Sequence, residues 1–146
     1  MTVKELYAVF SDKIPSVLSE EWDNDGLMCS SDTSAEVRRA LCVLDVTEEI
    51  VDYAIEQCFD LIVSHHPLIF KGIKSVSDSA YTKKLVKLIK NDIAVFSFHT
   101  RLDAVEGGIN DALAEELRLT DRVRMSLGVV GTLTTPLSEI SQILGC

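Results

Sequence analysis

Two hydrophobic periods alternate along the chain. In TVKELYAVFSDKI the apolar positions Val3, Leu6, Tyr7 and Phe10 share a helical face, and Thr2 with Glu5 makes a capping-box start, so the spacing predicts a helix. EEWDNDGLMCS reads as a turn followed by a short strand. Residues 40 to 46, ALCVLDV, form a nearly unbroken apolar run. Thr47 then caps a helix over EEIVDYAIEQCF, with two glutamates in the first turn where the helix dipole favours them. LIVSHH supplies the next strand and SAYTKKLVKLIKND the next helix, with Tyr81, Leu85, Leu88 and Ile89 on one face. IAVFSF is a third buried strand, and GGINDALAEELRL a further helix whose Ile109, Leu113 and Leu117 share a side. From residue 121 the pattern gives one more strand and the beginning of a helix.

Continuous apolar strands have no polar side to give to water, so this βαβαβα order predicts an α/β fold: a mostly parallel sheet with helices on both faces. The chain shows no internal repeat, low-complexity tract or linker, and a single α/β domain is expected over residues 1–146. Ligands of such sheets collect at the carboxyl ends of the strands. Asp45, His65, His66, His99 and Asp103 all fall at that edge in this reading.

Charge narrows the choice of partner. With 23 acidic against 14 basic side chains and a net charge of -9, the surface repels phosphate backbones and anionic membranes, which argues against nucleic acid and membrane partners. No apolar stretch approaches the roughly 20 residues of a membrane span, and MTVKELYAVF lacks a signal-peptide core. The cysteines, Cys29, Cys42, Cys58 and Cys146, form no CxxC pair, and Cys42 and Cys58 sit in apolar runs that suit a small buried thiol. They read as reduced thiols of a cytoplasmic protein. Lys83, Lys84, Lys87 and Lys90 read as a solvated helix face.

The chemistry concentrates in two stretches. LIVSHHPLIF ends an apolar run with His65 and His66, two of only three histidines in the chain. Neutral imidazole is the commonest metal-binding side chain, and neighbours on an extended chain point to opposite faces. The pair can therefore serve two metals, or one if the chain turns after His65; alternatively one histidine is core and the other surface. Pro67 holds His66 extended. SFHTRLDAVEGG ends the next strand with His99 and places Asp103 four residues on, before Gly107 and Gly108. His65, His66 and Asp103 are expected to converge at the ends of two neighbouring parallel strands. WDNDGL lacks the ligand spacing of a calcium loop and reads as a turn. Ser64 beside His65 is a poor nucleophile-base pair, because strand neighbours face apart.

SHHPLIF and FHTRLDAVEGGINDALAEEL, with WDNDGL upstream and GVVGTL downstream, resemble the Nif-three family, whose members are also known as type 2 homologues of GTP cyclohydrolase I. The resemblance implies a Nif-three-like fold and a site for two divalent metal ions, zinc, iron or manganese. By it, His65, His66 and Asp103 are metal ligands, His99 is a catalytic histidine beside the metals, and Trp22, Asp23 and Asn24 line the substrate side of the cleft. It also implies a homo-oligomer, a hexamer in the full-length form, and a nucleotide or other small-molecule substrate. The motif's usual asparagine before Leu102 is Arg101 here, which puts a charge near the site. The family's further histidine and glutamate ligands, near its C-terminus, have no match, because no histidine follows His99. The chain is thus expected to be the N-terminal part of such a protein, incomplete relative to the family. It is expected to bind metal weakly and to be inactive alone. Two function classes follow: a metal-dependent hydrolase, or a metal-binding scaffold or regulatory interaction protein without turnover.

Overall fold

Thr2 starts the first helix, α1 (Val3–Lys13), with the reciprocal cap that its spacing to Glu5 predicts: Glu5 N–H donates to the Thr2 hydroxyl and Thr2 N–H to the Glu5 carboxylate. The computed structural model describes residues 1–77 and 79–145; Asp78 and the cysteine reading at Cys146 lie outside the described residues. A short 3-10 turn, Ser16–Leu18, leads through the WDND segment into β1 (Gly26–Cys29). The core then follows as β2 (Ala40–Val43), α2 (Glu48–Glu56), β3 (Leu61–Ser64), α3 (Ala80–Lys90) and β4 (Ala94–Ser97). Beyond it come α4 (Thr100–Ala104), α5 (Ile109–Glu116), β5 (Thr120–Met125), β6 (Gly128–Thr132) and α6 (Leu137–Leu144).

The main sheet has the order β1-β4-β3-β2, with β2, β3 and β4 parallel and β1 antiparallel to β4. Alternate residues of the central strands supply two apolar layers. Ile62 and Val95 pack with Val51 and Ala54 of α2 and Leu85 and Leu88 of α3. Leu61, Ala94 and Phe96 face the other way, where Val3, Leu6, Tyr7 and Phe10 of α1 cover them. Tyr7 and Phe10 make ring contacts with both Phe96 and Phe98. The α/β class, the mostly parallel sheet and the helices on both faces are as the periodicity predicts.

The edges differ from the sequence reading. The single strand expected after residue 121 is a two-stranded antiparallel hairpin, β5–β6, forming a sheet of its own. Its turn, Ser126 and Leu127, carries no turn-forming glycine or asparagine between the paired Met125 and Gly128, so the break in the pattern is silent. Cys42 and Cys58 are exposed and Cys29 is the buried thiol. Cys42 lies on edge strand β2, whose Ala40 and Cys42 face lacks the helical cover that α1 gives the central strands. Cys58 follows α2 in a left-handed turn, φ 54°. On α5, Ile109 and Leu113 are exposed and Ala114 is the buried residue; on α3, Leu85 and Leu88 are buried but Ile89 is exposed. No described helix is long and apolar enough to cross a membrane.

Candidate metal centre

The two histidines of β3 are presented by an extension of the sheet. His65 N–H donates to the Val43 carbonyl and His66 N–H to that of Leu44, so β2 carries the parallel ladder past the formal end of β3. The turn that follows is braced from beneath by two buried hydroxyls. Ser64 Oγ donates to the His66 carbonyl at 2.9 Å, and with its one proton so used it accepts from Ser97 Oγ at 2.8 Å. Ser97 Oγ in turn accepts the Leu68 N–H at 3.2 Å. Ser64 is thus a strut between β3, β4 and the HHP turn.

The ends of β3 and β4 lie side by side, since Ser64 pairs with Ser97, and this brings His99 beside the other two imidazoles. Ring centroids are 5.1 Å apart for His65 and His66, 5.3 Å for His65 and His99, and 5.8 Å for His66 and His99. One ring nitrogen from each lies within 4.8 Å of the others. Asp103, in the first turn of α4, places Oδ1 3.8 Å from His65 Nε2. Gly108 allows the chain to double back after α4: a Cβ there would stand 2.1 Å from the Leu102 carbonyl oxygen. Asn110 then ties the new helix back by donating to the Asp103 carbonyl at 3.0 Å. His65, His66, His99 and Asp103 therefore converge at the carboxyl ends of two neighbouring parallel strands.

Carboxylates fix two of the rings. His66 Nδ1 is 2.7 Å from Asp45 Oδ1, just beyond β2, and His99 Nδ1 is 3.0 Å from Asp23 Oδ1. A carboxylate on Nδ1 selects the tautomer with its proton there and leaves Nε2 as the lone-pair nitrogen. His65 has no such partner: its Nδ1 is buried beside the Phe98 backbone without a hydrogen bond of normal geometry. Burial pushes the His65 pKa below the usual imidazole range, and the neighbouring His99 and His66 act in the same direction, against the pull of Asp103. Two rings are thus held by carboxylates and the third by burial, each leaving a ring nitrogen toward the cluster.

The WDND segment is divided in its roles. Trp22 is 60% exposed, and its ring lies 6.2 Å from those of both His99 and Phe70, so it borders the cluster. The Asp23 side chain is 0% exposed and accepts from His99, from Thr100 N–H at 3.1 Å and from the Thr100 hydroxyl at 2.6 Å. These bonds hold its carboxyl below the usual range despite its burial. That position makes Asp23 a holder of His99 and keeps it from meeting a ligand. Asn24 donates to the Ile69 carbonyl, joining the segment to the HHP loop. The sequence places Asp45 at the strand edge without marking a task for it, and carries no local signal that Ser64, Ser97 and Asp25 are parts of the frame.

The donor set fits a divalent ion. Three imidazoles and one carboxylate are borderline ligands of the kind that zinc, iron and manganese accept. Two nitrogens on one ion, each at about 2.1 Å, lie at most about 4.2 Å apart, so side-chain adjustments of an ångström or less bring the cluster to ligating distance. A cavity of about 520 Å³ opens beside it, lined by Asp45, His66, Pro67, Tyr81 and Lys84 among others.

Comparison with known proteins finds relatives in sequence and in fold. The family model for Duf34/NIF3 (NGG1p interacting factor 3) matches residues 1–144. A Listeria innocua protein named GTP cyclohydrolase 1 type 2 homolog is 44% identical over 117 residues, 79% of this chain and 31% of its own length. One of the same name from Clostridium acetobutylicum is 41% identical over 118 residues, 80% of this chain and 44% of its own. Among solved structures, the Bacillus cereus protein related to NIF3 superposes with a TM-score of 0.78 at 42% identity, covering 84% of this chain and 34% of that one. Reduced HcgD from Methanocaldococcus jannaschii gives 0.86 at 31% identity, covering 98% and 58%. The chain thus spans less than half the length of the Listeria and Clostridium relatives.

Proposed function

The chain belongs to the Duf34/NIF3 family, and on that premise we propose that it carries half of a divalent-metal centre whose complete form is a metal-dependent hydrolase. The observation that supports this most is the convergence of the His65, His66 and His99 nitrogens within 4.8 Å of one another, with Asp103 alongside. His65, His66 and Asp103 would hold the metal, and His99, which the resemblance implies as a catalytic histidine, stands close enough to join them as a ligand. When bound, a divalent ion supplies Lewis acidity, drawing electron density from a substrate oxygen and easing the deprotonation of water. The chain's own residues do the rest. Asp45 and Asp23 keep protons on the Nδ1 atoms of His66 and His99, and the burial of His65 keeps that ring neutral. Trp22 shields one side of the cluster, and the cavity beside His66 gives a small substrate room to approach. A nucleotide, as the names of the relatives suggest, is the first substrate to try.

Three imidazoles and a carboxylate suit one ion with open positions; a dinuclear centre needs ligands beyond these. The reading therefore assigns full metal loading and turnover to a longer protein of which residues 1–146 are one part, and keeps the expected homo-oligomer as that protein's assembly. The test titrates zinc and manganese calorimetrically into this chain and into a version extended to the relatives' length, with hydrolysis of GTP assayed in parallel. One weakly held ion and no turnover in the short chain, with two ions and hydrolysis in the long one, is the expected result. Two tightly held ions in the short chain refute the ligand assignment. Metal without turnover in the long protein favours the scaffold.

A further inference from the structure

Arg101 lies two residues from His99, yet its side chain is only 1% exposed and so offers no charge to a ligand. The guanidinium has fixed partners. Nε donates to Asp25 Oδ2 at 3.1 Å, Nη1 donates to the Ile14 carbonyl at 3.2 Å, and the group lies 4.7 Å over the Phe98 ring. Gly26 makes room for it: a Cβ there would stand 3.1 Å from Arg101 Nη2 and 2.6 Å from the Tyr7 hydroxyl. Asp25, 4% exposed, also receives the His99 backbone N–H at 3.3 Å on the same oxygen, and the Ser19 hydroxyl at 2.9 Å on the other. Arg101 and His99 are thus joined through one carboxylate atom.

We propose that Arg101 is a positioning residue, whose buried ion pair with Asp25 locks the segment Ser19–Gly26 against the stretch His99–Arg101 so that Asp23 meets His99 Nδ1 and turns Nε2 to the cluster. The proposal rests on the metal-centre reading above for its consequence, but not for its geometry. Asp23 and Asp25 are two residues apart on one short segment, and both bond to the stretch His99–Arg101. Without the guanidinium the Asp25 charge is buried and unpaired, and the segment must move to hydrate it. Asp23 moves with it, and His99 loses the partner that selects its tautomer.

The test reads the ring nitrogen shifts of His99 by NMR in metal-free protein at pH 8, and cobalt(II) affinity separately. Wild type should show His99 as the Nδ1–H tautomer. Arg101→Met should mix the tautomers and weaken cobalt(II) binding about tenfold, the lower range for losing an outer partner of a ligand. Arg101→Lys, a point charge without the fork, should fall between. Leu88→Ala, a destabilising change in the opposite layer, should leave the His99 shifts as in wild type. Unchanged His99 shifts in folded Arg101→Met overturn the proposal, as does an equal effect in Leu88→Ala. Should Arg101→Met not fold, Arg101→Lys decides by the same shifts. Cobalt(II) failing to bind wild type refutes the metal reading alone, since the tautomer is read without metal.

Discussion

Ser97→Ala isolates the strut beneath the HHP turn. Ser97 is 0% exposed, and the change removes one oxygen without opening a cavity of consequence. The buried Leu68 N–H loses its acceptor, while Ser64 keeps its bond to the His66 carbonyl. An orphaned buried donor costs about 1–3 kcal/mol. For a chain of this size each kcal/mol moves the melting temperature by about 3 °C, so Ser97→Ala should melt about 3–9 °C lower. Ser97→Cys, which keeps a weak acceptor of similar size, should lose less. Urea unfolding followed by circular dichroism gives the free energy, and differential scanning calorimetry the temperature. A Ser97→Ala protein within about 0.5 kcal/mol of wild type, the range of surface changes, refutes the assignment of the serine pair as a structural strut.

Three further outcomes follow from the same geometry. The folded-state pKa of His65 lies below the unfolded value of 6.5, so the unfolded chain binds the extra proton between the two; its contribution to metal-free stability is complete above pH 6.5 and is lost as pH falls through that window, which urea midpoints from pH 5 to 8 will show. Asp45→Asn keeps the shape beside His66 but removes the charge, and should weaken cobalt(II) binding about tenfold by titration, with little change in melting temperature because the pair is half exposed. Leu88→Ala should cost about 2–5 kcal/mol and Ile89→Ala under about 1 kcal/mol in the same denaturation assay, since Leu88 is fully buried and Ile89 49% exposed; equal costs would displace the register of α3.

What could be read from the sequence depended on how local the cause was. Thr2 and Glu5, or Thr47 before Ile50, are three residues apart, and their caps follow from spacing alone. The strands Leu61–Ser64 and Ala94–Ser97 are apolar on both faces because both faces are covered, which the unbroken runs state directly. The run at Ala40–Val43 looks the same but lies at the sheet edge, and edge position is a property of the topology. Likewise α5 carries an apolar stripe, yet Ile109 and Leu113 meet no core layer. His65, His66 and His99 were legible as a group because each ends a strand of one sheet. Arg101 was not: a lone arginine reads as surface, and its partner Asp25 lies 76 residues away, joined only when β1 pairs with β4.

That antiparallel pairing of β1 with β4 has a kinetic side. The parallel unit β2-β3-β4 can assemble from consecutive segments, but β1 comes from the start of the chain and inserts beside the strand formed last, spanning some 70 residues of sequence. Closing so long a loop is entropically costly, and contacts of this range characteristically form late and slow a folding reaction. His65 and His66 are in place once the parallel strands are, whereas His99 acquires Asp23 only after β1 docks. Cobalt(II) added during refolding should thus be bound with its final spectrum in a phase slower than the recovery of helical signal, making the metal a clock for the last strand.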